Sequence, residues 1–333
     1  MGKYIKKFET HTEYQTYING QNKVLPNVSY CEDNNEVHYN PWVETRLVAK
    51  FNVTSTSSAI DIMDSSATSS FTEIEIDGIV QPNVVSSYTF DTTGEHTIKY
   101  TLADPTTIGD YAFGSCNGLT SVTIPNSVTT IGNSAFQECN SLTSVTIGNS
   151  VTSINASTFH SCTGLTSVTI GNSVTTIGNN AFAYCSGLTS ITIPNSVTTI
   201  GTGAFNSCTV LTSVTIGNSV TTIGDGAFAY CNITSITIPN SVTTIGTGVF
   251  NTCTGLTSVT IGNGVTSIGG GAFYNCSSLT SVILEAITPP TIGGGAFNSN
   301  ASGRKIYVPS ESVNTYKAAS VWSTYASDIE AIQ

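Results

Sequence analysis

The sequence predicts a β-rich repeat solenoid of about nine rungs, preceded by a small β-sandwich-like domain and followed by a C-terminal cap. The prediction rests on three residue columns that recur together. An isoleucine returns every 22 to 24 residues, from Ile108 to Ile292. A phenylalanine follows it five residues later, from Phe113 to Phe297, and in eight of the nine copies a cysteine follows three residues after that. A unit this short cannot bury its own apolar residues, so the copies must stack and share one core.

Each unit has the approximate sequence Ile-Gly-x-x-Ala-Phe-x-x-Cys-x-x-Leu-Thr-Ser-Val-Thr-Ile-Pro/Gly-Asn-Ser-Val-Thr-Thr. In residues 119–124 apolar and hydroxyl side chains alternate, which is the period of a strand with one buried face. Residues 125–126, Pro-Asn, then predict a turn. Residues 128–131 predict a second short strand, and residues 132–139 predict a compact turn or a helical turn.

The Ala-Phe-x-x-Cys-x-x-Leu core and the Val-Thr-Thr-Ile-Gly segment resemble the BspA-like leucine-rich repeat over residues 104–300. The resemblance implies a right-handed leucine-rich-repeat solenoid made of short stacked coils. Proteins of that family are mostly surface or adhesion molecules, and the repeat has no defined catalytic residues. The resemblance therefore implies recognition and brings no catalytic site with it.

Two segments precede the solenoid. Residues 1–50 are polar, rich in tyrosine and hold most of the basic charge, and we expect them to attach or oligomerise the protein. Residues 51–103 have strand-like alternation with a hairpin signal at Asp77-Gly78. They predict a small β domain of the immunoglobulin-like sandwich type. The opening motif, Met1-Gly-Lys-Tyr-Ile-Lys-Lys, resembles leader segments of virion proteins from phages of gut bacteria. No apolar stretch follows this motif, so no secretion signal is predicted.

The last rung of a solenoid needs a cover, and residues 301–333 are suited to provide it. Residues 305–309 predict a final strand, and residues 312–325 predict a short helix laid over the last rung.

Charge limits the possible partners. The chain has 10 basic and 21 acidic residues, and no Lys or Arg lies between Asp104 and Gly303. Such a surface cannot neutralise phosphates, so nucleic acid and anionic membranes are excluded as partners of the repeats. No apolar run is long enough to cross a bilayer, and membrane insertion is not expected.

The cysteines recur once per rung, which places them in one core column. They are Cys116, Cys139, Cys162, Cys185, Cys208, Cys231, Cys253 and Cys276. Metal sites need clustered ligands such as Cys-x-x-Cys or paired histidines, and the sequence contains no such pattern. Each cysteine would have two equivalent neighbours for a disulfide, so pairing would be arbitrary. We therefore expect buried free thiols that act as small apolar side chains, with no metal and no cofactor.

Residues that could catalyse a reaction are few and unmatched. The acidic residues of the repeats are scattered: Asp110, Glu138, Asp225 and Glu285. General acid-base catalysis needs two groups at a fixed separation, and His160, which stands in the repeats, is expected to be a surface or rung-filling residue. No nucleophile elbow, phosphate loop or dinucleotide motif is found. The sequence therefore predicts that the protein is not an enzyme.

The strand alternation turns two columns of hydroxyl side chains outward from one flat sheet. This candidate binding face consists of Ser121, Thr123, Ser144, Thr146, Ser167, Thr169, Ser190, Thr192, Ser213, Thr215, Ser235, Thr237, Ser258 and Thr260. Three interpretations stay open. In the first, Ser and Thr simply suit exposed strands; in the second, the face binds an extended protein or glycan; in the third, its ranks of threonine bind ice. The predicted face lacks an aromatic stripe, which argues against tight stacking on sugars.

We therefore expect a non-catalytic structural and recognition protein whose solenoid binds protein or glycan on a host surface. Residues 1–103 would attach it to a virion or envelope protein, or join copies of the chain into a homo-oligomer. The predicted location is the virion surface, as a fibre or decoration protein, because lysis releases phage proteins without a secretion signal. A bacterial adhesin, on the cell surface or secreted, is the alternative, and an ice-binding protein is a remote one.

Overall fold

The computed structural model describes residues 46–333 and, for the backbone alone, residues 28–31 and 36–39. These two short segments are the strands Val28–Cys31 and Glu36–Tyr39, which pair antiparallel. The attachment segment predicted for residues 1–50 therefore lies mostly outside the described residues.

The repeats stack as the predicted solenoid, and the recurring isoleucines lie in a nine-stranded parallel sheet that we call the isoleucine sheet. Its strands are Thr107–Ile108, Thr130–Ile131, Ser153–Ile154, Thr176–Ile177, Thr199–Ile200, Thr222–Ile223, Thr244–Ile245, Ser267–Ile268 and Thr291–Ile292. Neighbouring strands pair in register, so that Ile108, Ile131 and Ile154 lie directly opposite one another. Equivalent residues therefore form continuous buried columns, as the repeat predicted.

A second row of parallel strands, which we call the hydroxyl sheet, carries the Ser-Val-Thr segments. Its strands are Leu119–Thr123, Ser144–Thr146, Ser167–Thr169, Ser190–Thr192, Ser213–Thr215, Ser235–Ile238, Ser258–Ile261, Ser281–Leu284, Lys305–Val308 and Ile329–Ala331. Unlike the isoleucine sheet, this row is interrupted. Strand pairing stops after Ser167–Thr169 and again after Ser213–Thr215.

The third side of each rung is a tight turn centred on the phenylalanine, and we call the stack of these turns the phenylalanine ridge. The residues two before and two after each phenylalanine have left-handed backbone, as at Ser134 (φ 54°) and Glu138 (φ 59°). The amides of Ser134, Phe136 and Glu138 donate to carbonyls of the following rung at 2.8–2.9 Å. The ridge is thus a third hydrogen-bonded ladder, which the sequence predicted only as a compact or helical turn in each unit.

The phenylalanine rings stack through the core of the solenoid. Successive centroids are 5.2–5.5 Å apart and the planes are 1–12° from parallel. At each end an aromatic ring meets the stack edge-on: Tyr100 lies 5.1 Å from Phe113, and Tyr325 lies 5.7 Å from Phe297. Edge-to-face contact covers the terminal ring faces that a further rung would otherwise cover.

The N-terminal module is joined to the solenoid by a continuous sheet. Strand Leu47–Val53 pairs antiparallel with Leu119–Thr123 of the first rung, and the module's other sheet strands are Gly94–Leu102, Phe71–Ile76 and Ile79–Val80. The boundary predicted between residues 50 and 51 thus falls inside a strand, and the sheet crosses the boundary predicted at residue 104. The physical reason is the open edge of the first rung, whose backbone groups need partners.

Smaller elements complete this module. The strands Ile60–Asp61 and Ser87–Tyr88 form a ribbon, and a 3-10 helix spans Ser65–Ser70. The module is thus one sheet with a ribbon beside it, where the sequence suggested a separate sandwich. The hairpin predicted at Asp77-Gly78 is confirmed, because Ile76 and Ile79 are paired across it.

The C-terminal cap extends the hydroxyl sheet and covers the last rung. Strand Lys305–Val308 is confirmed; it is followed by the 3-10 helix Ser310–Ser312, the α-helix Val313–Ala318 and the 3-10 helix Trp322–Asp328. The final strand, Ile329–Ala331, was not predicted. The described part of the chain has no helix that is long and apolar enough to cross a membrane.

Candidate binding face

The hydroxyl residues predicted as a binding face all lie on strands of the hydroxyl sheet, and all of them are exposed or half-buried. Their register is tight, with Ser121 opposite Ser144 and Thr123 opposite Thr146. No side-chain hydrogen bond joins any of these fourteen hydroxyls to another group of the described residues. Each can therefore donate and accept hydrogen bonds with a ligand or with water.

A different threonine column lies beside the face, immediately before each serine, and its hydroxyls bond within the protein. Thr143 Oγ1 donates to the carbonyl of Thr120 at 3.2 Å, and Thr166 Oγ1 donates to that of Thr143 at 3.0 Å. The sequence did not distinguish this column from the outward one. Two threonine columns with nearly the same composition therefore have different roles, one within the ladder and one towards solvent.

The two interruptions of the hydroxyl sheet also interrupt this threonine ladder. The side chains of Thr189 and Thr234 make no such bond to the rung before them, whereas Thr212 and Thr257 do, at 3.3 and 2.9 Å. The second interruption follows the 22-residue unit, in which Cys231 is followed by Asn-Ile in place of three residues before the next Thr-Ser.

Two depressions lie at the interrupted part of the face. One, of about 430 Å³, lies between the rungs of Ser213 and Ser235 and is lined by Thr215, Thr237 and Asn218. The other, of about 840 Å³, has Thr192 and Thr215 in its wall. They share the residues around Thr215, so the central rungs offer a recessed, hydroxyl-lined surface.

The cysteine column is buried, and its thiols are free. In addition, each thiol from Cys139 onwards donates a hydrogen bond to the carbonyl of the phenylalanine one rung before, as from Cys139 to Phe113 at 3.0 Å. The other donors are Cys162, Cys185, Cys208, Cys231, Cys253 and Cys276. Where the ninth rung has Ser299, Asn300 Nδ2 donates to the Phe273 carbonyl instead, at 2.8 Å. Arg304 does the same for Phe297.

Burial sets the chemistry of these thiols. It raises the pKa of Cys162 and of Cys276 to about 12, because the charged thiolate cannot be hydrated in the core. The thiolate is the reactive form, so these side chains are structural donors and poor nucleophiles.

Two of the four scattered carboxylates have a backbone partner in the following rung. Asp110 Oδ1 accepts a hydrogen bond from the Asn133 amide at 2.6 Å, and Asp225 Oδ1 accepts one from the Thr247 amide at 2.7 Å. Each side chain thereby satisfies an amide of the following rung. Within the residues that the structure describes, no three His, Cys, Asp or Glu side chains come together in a way that could hold a metal ion.

His160 and several tyrosines lie on the phenylalanine ridge, away from the predicted face. The His160 ring is 5.3 Å from that of Tyr184, and Tyr184 and Tyr230 are half exposed. The sequence predicted no aromatic stripe on the face, but the segment Phe-Ala-Tyr-Cys occurs at residues 182–185 and again at 228–231, and it places a tyrosine on this ridge each time.

The repeats match the BspA type leucine rich repeat region in six copies, over residues 106–234 and 221–331. The chain belongs to this family. The match covers every strand of the isoleucine sheet and of the hydroxyl sheet but not the N-terminal module. The candidate face of this BspA-type protein is therefore a feature of its repeats.

Solved structures of bacterial leucine-rich repeat proteins are similar in sequence to parts of this BspA-type chain. A leucine rich cell surface protein of Faecalibacterium prausnitzii is 33% identical over 63% of this chain, with a TM-score of 0.48. This chain covers 65% of that protein, just under two thirds of its length. A T. pallidum leucine rich repeat protein is 31% identical, with 52% of this chain and 82% of its own covered and a TM-score of 0.47. No curated protein matches the chain.

Proposed function

We propose that this chain is a non-catalytic recognition protein that binds protein or glycan through its hydroxyl face, the fourteen Ser and Thr residues named above. The observation that carries the proposal is the contrast between two threonine columns. Hydroxyls of the Thr143 column are bonded inside the ladder, whereas hydroxyls of the Thr146 column, three residues later, have no partner within the described residues. Stability alone does not require a hydroxyl at the second position.

The central rungs offer one place for a ligand. The two depressions near Thr215 are recessed, and burial of ligand surface in a recess adds apolar contact to hydrogen bonding. Equivalent hydroxyls repeat at about 4.8 Å, the spacing of paired strands. An extended ligand with regularly spaced polar groups, such as a peptide strand or a glycan chain, therefore fits the face. The same interruptions break the flat rank of threonines that ice binding would need.

Attachment through the N-terminal residues forms the second part of the proposal. Strand Leu47–Val53 hydrogen-bonds to the first rung, so a force applied to the N-terminus is transmitted to the solenoid through a sheet. A virion remains the site of attachment that the leader motif favours, with the solenoid as a fibre or decoration. A bacterial cell surface is favoured by the F. prausnitzii relative, which is a cell surface protein. Immunogold labelling of purified particles and of intact cells separates the two.

The binding proposal is tested with a solid-phase array of soluble glycans and purified host surface glycoproteins, probed with the full chain. Thr215→Lys places a long charged side chain at the centre of the face. Thr244→Lys is the matched control, because Thr244 is an exposed strand residue on the isoleucine sheet. We expect the first variant to lose about tenfold or more in affinity for whatever the wild-type chain binds, with the second unchanged. Equal loss in both variants, or in neither, would refute the proposal.

A further inference from the structure

Two tyrosines occupy the same position of the phenylalanine ridge, two residues after the phenylalanine. Tyr184 and Tyr230 are 51% and 50% exposed, with left-handed φ angles of 60° and 61°. Their amides donate to the carbonyls of Asn206 and Asn251 in the following rungs, each at 2.8 Å. Because the backbone is equivalent at the two positions, both tyrosine side chains leave the backbone at the same point of their rungs. We call this pair the tyrosine row.

The spacing of the row is set by the solenoid. Two rungs separate Tyr184 from Tyr230, and successive rungs are 5.2–5.3 Å apart at the phenylalanine stack between them. The tyrosines are therefore about 10 Å apart, twice the spacing of paired strands. In an extended β-1,4-linked polysaccharide each sugar is turned over relative to the one before, so alternate sugars present the same face. The two-sugar repeat has nearly the length of two rungs.

The rung between the tyrosines has small, polar side chains at the equivalent positions of the ridge. It carries Ser207 at the position of the tyrosines, with Asn206 beside it, and Ser207 Oγ donates to Asn206 Oδ1 at 2.8 Å. Beside the tyrosines themselves stand the small, buried Ala183 and Ala229. Apolar rings thus alternate with amide and hydroxyl groups along the ridge, which suits a sugar chain that has C–H faces and hydroxyl edges.

The charge of this part of the ridge is close to zero. From residue 139 to residue 303 the chain has no Lys or Arg, and its acidic residues there are Asp225 and Glu285. Asp225 is engaged with the Thr247 amide. A sulfated, phosphorylated or uronic-acid polymer would find no Lys or Arg side chain here, so the row is matched to a neutral chain.

We infer that the tyrosine row binds a neutral β-1,4-linked polysaccharide, of the cellulose or chitin class, with Tyr184 and Tyr230 stacked on alternate sugars. Tyr274, two rungs beyond Tyr230, is also exposed, but it lies one residue nearer to its phenylalanine and is outside the row. This site goes beyond the proposed function, because it lies on the ridge and uses none of the fourteen hydroxyls. Duplication of a two-rung unit would produce the same recurrence of tyrosine without any ligand, and binding measurements distinguish the two origins.

The test is isothermal titration of the full chain with cellohexaose and with chitohexaose, and with maltohexaose as the α-linked control whose curved chain does not keep alternate sugars in line. We expect the wild-type chain to bind at least one β-1,4-linked hexamer and to bind maltohexaose about tenfold less tightly or not at all. The hexamer that binds identifies the class. Failure to bind either β-linked hexamer, or equal affinity for maltohexaose, overturns the inference.

Variants locate the site. Tyr184→Ser with Tyr230→Ser introduces the residue that the chain itself carries at Ser207, so the fold is preserved, and we expect about tenfold or greater loss of affinity. The double Phe variant keeps the rings and should bind within about threefold of wild type. Tyr111→Ser is the matched control, since Tyr111 has equal exposure (52%) but lies before its phenylalanine, outside the row. Unchanged binding by the double Ser variant overturns the inference. Thr215→Lys should leave this binding intact, so failure here and failure of the hydroxyl face are separate results.

Discussion

The buried columns and the hydroxyl face of this solenoid repeat with similar regularity, yet they differ in the contacts that their side chains make with neighbouring rungs. Each phenylalanine between Phe136 and Phe273 is stacked on both sides by neighbouring rings. Seven phenylalanine carbonyls, from Phe113 to Phe250, accept a hydrogen bond from a cysteine thiol of the next rung. The hydroxyls of the face are bonded to nothing in the described residues.

The difference separates two reasons for repetition. In the core, every rung supplies the packing surface and the hydrogen-bond partner of the next, so one altered rung leaves its neighbours with a cavity or an unpaired carbonyl. On the face, a changed hydroxyl disturbs no neighbour. Contacts between rungs therefore explain the regularity of the core columns, whereas the regularity of the face is explained by the suitability of Ser and Thr for exposed strands, by binding or by recent duplication.

The largest effect should come from pH acting on the buried thiols whose pKa is raised in the folded chain. Burial raises the pKa of several of these thiols, including Cys162 and Cys276 to about 12, whereas thiols in the unfolded chain ionise near pH 8.5. Above that pH the unfolded chain releases protons that the folded chain keeps. Stability is thus complete below about pH 8 and falls as the pH rises towards 12.

Urea denaturation at pH 7.5 and pH 9.5, with reductant present, measures this fall in the unfolding midpoint. The range stays below the usual pKa of tyrosine, so the buried Tyr100 and Tyr316 contribute little. A variant with Cys162→Ala and Cys276→Ala should show a shallower dependence on pH. Equal midpoints at the two pH values would show that the thiols are not buried as described.

A cavity in the phenylalanine stack should give the largest effect of any single substitution. Phe205 is fully buried between Phe182 and Phe228, at 5.3 and 5.2 Å. We expect Phe205→Ala to reduce the free energy of unfolding by about 3–5 kcal/mol, since both lost contacts and a cavity contribute. Chemical denaturation followed by circular dichroism measures it. A loss below about 1 kcal/mol would mean that the stack is looser than the structure shows.

The smallest expected effect on the free energy of unfolding comes from two threonines of one rung. One belongs to the hydrogen-bonded threonine ladder and the other to the hydroxyl face. Thr212 Oγ1 donates to the Thr189 carbonyl at 3.3 Å, whereas Thr215 has no such bond. Thr212→Val should cost about 1 kcal/mol of unfolding free energy, and Thr215→Val should stay within about 0.5 kcal/mol of wild type. Paired denaturation curves check this. Equal losses would remove the distinction between the ladder and the face.

Much of the fold followed from the columns of residues. The positions of Ile131, Phe136 and Cys139 within one unit placed the rung's strand and turn, and the sequence Asp77-Gly78 placed the hairpin that the structure contains. The role of Cys139 as a donor to the Phe113 carbonyl could not be predicted, because it depends on how far one rung is displaced over the next. The continuous sheet through Leu47–Val53 could not be predicted either, because antiparallel pairing between distant segments leaves no periodic signal.

The sequence by itself determined the number of rungs, the buried columns and the outward direction of the Ser and Thr side chains, because all three depend on periods of 23 and of two residues. Only the tertiary structure decided which threonines are bonded, where the hydroxyl sheet opens and that the half-exposed tyrosines share one ridge. The physical reason is that these properties depend on the stacking of rungs. The hydrogen bonds between rungs join residues that lie 20 or more positions apart in the sequence. The gap at the 22-residue unit and the two-rung separation of Tyr184 and Tyr230 likewise involve residues that are distant in the sequence.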